Sequence, residues 1–142
     1  MKTLVAEDDH LSRLLLSQII SGFGTCHVAV NGVEAVKYFR KALEEGDPYD
    51  LVCMDIMMPV MDGQQALKKI RDLEKKYGVE RRDAARAIMV TALDDANNVA
   101  MAFGQGECEA FHTKPVDKKK LLGQLCELGL LGRQDLRAEV SS

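Results

Sequence analysis

Five times along this chain a short apolar run gives way to a stretch whose apolar residues recur three and four positions apart. Residues 3–6 read as a first strand, and Leu11, Leu14, Leu15 and Ile19 then follow at helical spacing. Residues 26–30 (CHVAV) read as the second strand. Asn31 caps the next helix, with Glu34 as its capping-box partner and Val36, Phe39 and Leu43 as its inward face. Residues 51–54 (LVCM) make a third strand, and Asp62-Gly63 opens a helix with Ala66, Leu67, Ile70 and Leu73 turned inward. Residues 87–90 (AIMV) make a fourth, after which Asp94 or Asp95 caps a short helix carrying Val99, Ala102 and Phe103. Residues 109–112 are the fifth strand, and Asp117 starts a last helix carrying Leu121, Leu125 and Leu128.

Strict alternation of this kind calls for a parallel sheet, because parallel neighbours need crossover connections. The near-continuous apolar strands agree, since such strands are buried on both faces. Right-handed crossovers then place helices on both sides, giving a doubly wound α/β fold. Residues 78–86 (GVERRDAAR) are a charged connection longer than usual. Residues 129–142 have no core stripe beyond Leu131 and are expected to fray or to extend the last helix.

The 142 residues fit one domain. Nineteen Lys and Arg against 22 Asp and Glu leave a net charge of −3, which argues against nucleic-acid binding by bulk charge. With 46 % hydrophobic and 29 % charged residues, wholesale disorder is excluded. Cys26, Cys53, Cys108 and Cys126 form no CxxC pair and there are only three histidines, so a structural zinc site is not expected. No apolar run approaches the ~18 residues of a membrane span. The N-terminus turns acidic too early for a secretory signal. The expectation is a cytoplasmic protein with reduced cysteines and no membrane contact.

The informative polar residues fall at the strand ends. Glu7 and Asp8 follow the first strand, Asp55 the third, Thr91 the fourth and Lys114 the fifth. In an open parallel sheet all carboxyl ends point the same way, and ligands bind there. Two unit charges ~4 Å apart repel by about 4 kcal/mol at an effective dielectric of 20, so a cluster of carboxylates calls for a hard cation. All-oxygen ligands without Cys or His point to magnesium. Cation, ammonium and hydroxyl together suit a phosphoryl group. No GxxxxGK[ST] loop is present to hold a nucleotide, and a carboxylate in such a site can itself take the phosphoryl group.

The segments LVAEDDHLSR (4–13), VCMDIMMPVMDG (52–63), IMVTAL (88–93) and FHTKPV (111–116) resemble those of response regulator receiver domains of two-component systems, of the stand-alone chemotaxis-regulator type. The resemblance runs over residues 1–128. It implies a flavodoxin-like (βα)5 fold with strand order 2-1-3-4-5. It also implies that Asp55 is the phosphoacceptor, that Asp8 binds Mg2+ directly and Glu7 mainly through water, and that the backbone carbonyl of Met57 completes the protein ligands. Lys114 would pair with the carboxylate at rest and with a phosphoryl oxygen afterwards, while Thr91 would bond another phosphoryl oxygen. Phe111 would be the aromatic switch that turns inward as Thr91 moves, and the Lys114–Pro115 bond would be cis. The implied partners are a sensor histidine kinase or histidine phosphotransfer protein, with helix one (Arg13, Leu14, Ser17) in partner choice, and a downstream protein target. The implied output surface is residues 94–128. No direct DNA binding is expected, because the ~14 residues after the last helix are too few for an output domain.

Neighbouring residues have blander readings. Asp9 and Asp62 read as helix caps, and Met54 as core, with Met57, Met58 and Met61 packing the loop and its rim. His10, His27 and His112 give no relay geometry, and Lys118, Lys119 and Lys120 read as a solvated face. Phe111 stands where a Tyr is frequent, so the switch has no hydroxyl to bond outward. Met57 and Leu93 lie two residues beyond Asp55 and Thr91, and neither can orient an attacking water, so slow self-dephosphorylation is expected. A phosphohydrolase with an Asp nucleophile is disfavoured because Asp55-Ile56-Met57 lacks a second Asp two positions on. A relay intermediate or a phosphorylation-independent module are the alternatives.

Overall fold

The computed structural model describes residues 1–92 and 108–136. Five parallel strands form one sheet: β1 (Lys2–Ala6), β2 (Thr25–Ala29), β3 (Leu51–Asp55), β4 (Arg86–Thr91) and β5 (Ala110–Thr113). Their order is β2-β1-β3-β4-β5, as the resemblance implies. The sheet is flanked by helices α1 (His10–Ser21), α2 (Gly32–Glu44), α3 (Gly63–Lys76) and α4 (Lys118–Glu127), the helix expected to start at Asp117, and residues 133–136 are helical as well. A 3-10 turn, Arg81–Asp83, interrupts the charged connection before β4. The expected helix between β4 and β5, with Asp94, Asp95, Val99, Ala102 and Phe103, and Leu93, expected to affect the phosphoryl lifetime, lie outside the described residues.

Strand alternation splits the apolar residues between two layers. Leu4, Ala6, Val52, Met54, Ala87 and Met89 pack with Phe39 of α2 and Leu67 and Ile70 of α3. Val5, Leu51, Cys53, Ile88 and Val90 pack with Leu16 and Ile20 of α1 and Leu121 and Leu125 of α4. Helices therefore cover both faces of the sheet.

Three expectations need correction. α1 turns Leu16 and Ile20 inward, while Leu11 and Leu14 are exposed. Six apolar residues crowd this helix, so spacing alone leaves its rotation open. The Asp9 cap, which accepts the Ser12 N–H at 2.9 Å, goes with an inward face that carries Ser12, Leu16 and Ile20. β2 is an edge strand with only Ala29 buried, so its apolar run reflects one covered face and not two. The segment after α4 neither frays nor extends the helix as far as Leu136. Gly129, at φ +77°, reverses the chain, and Leu130, Leu131 and Leu136 pack back on the α1–α4 layer.

Caps set where the helices begin. Asn31 accepts the Glu34 N–H at 2.8 Å. At α3 the reciprocal box forms, with Asp62 accepting the Gln65 N–H and Gln65 accepting the Asp62 N–H. Gly63 is required there, because a Cβ would run into the backbone carbonyl of Asp55. A partly buried network closes the opposite end of the sheet. Arg71 pairs with Glu74 at 2.7 Å and with Glu109 at 3.2 Å, and the two carboxylates accept the N–H groups of Ala85 and Ala87.

Candidate functional site

The loop after β1, the end of β3 and the loop after β5 meet at the carboxyl edge of the sheet. One carboxylate oxygen each from Glu7, Asp8 and Asp55 lies within 4.8 Å of the others. Glu7 and Asp55 are buried and Asp8 is exposed. Lys114 reaches in from beyond β5, its Nζ 3.0 Å from Glu7 Oε1 and 3.2 Å from Asp55 Oδ2. The Lys114–Pro115 peptide bond is cis, and the Lys114 N–H donates to the Thr91 carbonyl at 2.7 Å.

Both oxygens of Asp55 are oriented. Oδ1 accepts the Met57 N–H at 3.1 Å, and Oδ2 faces Lys114. Thr91 is fully buried at the end of β4, where its hydroxyl donates to the Ala92 carbonyl at 3.1 Å. Phe111 is exposed on β5, and the Met57 side chain is exposed above the site.

Electrostatics in the cluster are unbalanced. Burial, reinforced by the Asp55 carboxylate beside it, pushes Glu7 up to about 8. Partial burial and the Asp55 charge also raise Asp8. Burial pulls Lys114 down, but its hydrogen bond to Glu7 and the Asp55 charge outweigh that and hold the ammonium above its ordinary value. Glu7 Oε1 accepts from Lys114 and from the Asp9 N–H at 3.1 Å, yet buried Oε2 has no hydrogen-bond partner. An orphaned buried carboxylate oxygen among three converging acids is what a hard, oxygen-seeking cation satisfies. The residues present therefore fit magnesium.

Two contributions escape motif reading. Arg13 of α1 donates to the carbonyls of Glu7 at 3.0 Å and Asp8 at 3.4 Å, so it holds the acidic loop from beneath. His112 is fully buried and bonds both Gln124 and the Asp117 N–H. A histidine in the middle of a short strand was the only signal for the second. Asp9 and Asp62 are caps, as expected, and Met54 is core.

The family model for the response regulator receiver domain matches residues 3–125. The chain belongs to that family, whose members are signalling modules of two-component systems. It is 33 % identical over 129 residues to the chemotaxis protein CheY of Treponema pallidum, covering 89 % of this chain and 81 % of that one. It is 36 % identical over 124 residues to hybrid signal transduction histidine kinase G of Dictyostelium discoideum, covering 85 % of this chain. This chain spans only 3 % of that kinase, and 12 % of a probable histidine kinase 2 of Oryza sativa. Among solved structures, the receiver domain of the histidine kinase CKI1 from Arabidopsis thaliana, complexed with Mg2+, superposes with a TM-score of 0.76 at 28 % identity, covering 89 % of this chain and 90 % of that one. The receiver domain of Ssk1, crystallised with the histidine phosphotransfer protein Ypd1 of Saccharomyces cerevisiae, gives 0.72 at 26 % identity, covering 89 % and 87 %.

Proposed function

We propose that this receiver accepts a phosphoryl group on Asp55 from a phosphohistidine of a sensor kinase or a histidine phosphotransfer protein, and signals through protein contacts of residues 94–128. The observation that carries this reading is the meeting of Glu7, Asp8, Asp55 and Lys114 at one sheet edge, with both Asp55 oxygens oriented. The Mg2+ complex of the CKI1 receiver and the pairing of the Ssk1 receiver with a phosphotransfer protein support it.

Asp8 and Asp55, the Met57 carbonyl, and Glu7 mainly through water would hold the ion. Bound magnesium supplies positive charge against the carboxylates and the phosphoryl oxygens. An Asp55 oxygen forms the new O–P bond as the N–P bond of the phosphohistidine breaks. The electron pair of that bond stays on the imidazole nitrogen, which then takes a proton. Lys114 is already 3.2 Å from Asp55 Oδ2, so it follows the charge onto a phosphoryl oxygen. Thr91 must turn its hydroxyl from the Ala92 carbonyl to bond another oxygen. That rotation opens space beside β5 for Phe111, which packs inward and changes the exposed face. The role is one of signalling and not of catalytic turnover.

Incubation with magnesium and acetyl phosphate tests this. The chain gains one phosphoryl group that persists, and Asp55→Asn gains none. Continuous phosphate release would indicate a hydrolase, and no uptake at all an interaction module.

A further inference from the structure

His112 lies on β5 between Phe111 and Lys114 and is 0 % exposed. Its register partner is Val90, which belongs to the layer under α1 and α4, so the imidazole shares that face of the sheet. Both ring nitrogens are engaged. The Asp117 N–H stands 3.1 Å from Nε2 and can only donate, which makes Nε2 the acceptor. A neutral imidazole then carries its hydrogen on Nδ1, which lies 2.8 Å from Gln124 Oε1. That orients the Gln124 amide as well, and its Nε2 donates to the Phe111 carbonyl at 2.7 Å.

Donor and acceptor thus alternate without conflict from Asp117 through His112 and Gln124 to Phe111. Asp117 is the N-cap of α4 and accepts the Lys120 N–H at 3.0 Å. The chain of bonds therefore joins the first two turns of the helix to the strand residue that carries the exposed ring. A buried imidazole in an aliphatic layer is stable only while those bonds are made. The separation of β5 from α4 is accordingly held by directed contacts in addition to packing.

We propose that the His112–Gln124 linkage couples Phe111 to helix α4, so that a change at the phosphoryl site reaches the helix as well as the ring. This rests on the phosphoacceptor reading and adds to it the route by which the site is felt beyond β5. His112 and Gln124 are positioning residues and touch no reacting atom.

The test uses the full chain with magnesium and excess acetyl phosphate, amide NMR shifts, and the mass of the phosphorylated protein. His112→Val keeps an apolar fill and removes both bonds. Gln124→Met removes the bond from a half-buried helix position and keeps the test open if the first variant folds poorly. His112→Asn returns an N–H near the place of Nδ1–H. In the parent chain phosphorylation moves the amides of Phe111 and of residues 117–124 together. In His112→Val and Gln124→Met phosphoryl uptake stays within about twofold of the parent, while the response of residues 117–124 falls about fivefold and that of Phe111 remains. The double variant loses no more than either single one, and His112→Asn restores the helix response. Undiminished helix shifts in His112→Val and Gln124→Met would overturn the linkage. So would equal losses in His112→Asn and His112→Val, which would assign the effect to packing. No phosphoryl uptake by the parent chain would instead overturn the phosphoacceptor reading itself.

Discussion

Glu7 is the residue at which folding and binding conflict. Its carboxyl is buried, one of its oxygens is orphaned, and it sits beside Asp55. In the unfolded chain it ionises near its ordinary 4.5, whereas in the folded protein it keeps its proton up to about 8. The folded state therefore binds more protons across that window, and metal-free stability falls as pH rises through it. Glu7→Gln keeps an acceptor for Lys114 and the Asp9 N–H but cannot ionise in either the folded or the unfolded state. Thermal unfolding in chelator should show it more stable than the parent by about 1–2 kcal/mol at neutral pH, with a flatter pH profile and less stabilisation by added magnesium. The lifetime of the proposed phosphoryl group gives a second prediction at this scale. Met57→Asn with Leu93→Glu should shorten it about tenfold, because polar side chains there can orient an attacking water. Following the decay of labelled protein checks this, and an unchanged lifetime refutes it.

At the scale of elements, the β3–α3 connection carries the site's local constraints. The Met61 N–H bonds the Pro59 carbonyl at 2.8 Å across Val60, whose φ is 71°. This three-residue turn puts a β-branched residue in the left-handed region. Val60 is 84 % exposed, so nothing in the core compensates. Asn tolerates that region better, and Val60→Asn should stabilise the protein by about 1 kcal/mol in denaturant titration. Three residues on, Gly63→Ala should do the opposite. Its Cβ would meet the Asp55 carbonyl, so the start of α3 must back away from β3. A loss of about 1–3 kcal/mol and reduced phosphoryl uptake are expected together. Loss of stability with uptake intact would show that the phosphoacceptor does not depend on this approach.

At the scale of the molecule, the order of strand and helix and the five residues at the sheet edge were legible in the sequence. Glu7, Asp8, Asp55, Thr91 and Lys114 each terminate or follow a strand, and a parallel sheet brings such positions together. Contributions that depend on side-chain geometry were not legible. Arg13 looks like a surface residue of α1 until its bonds to the Glu7 and Asp8 carbonyls are seen. Leu130, Leu131 and Leu136 lack helical spacing because they reach the core after the reversal at Gly129. The proposed function depends on Asp55 alone carrying the phosphoryl group. Borohydride reduction of the phosphorylated chain, which converts an aspartyl-phosphate to homoserine, followed by peptide mass spectrometry, locates that group. Homoserine at position 55, absent when magnesium is withheld or Asp55 is Asn, is the expected result. Homoserine at another position, or phosphate that resists reduction on a histidine or serine, would contradict it.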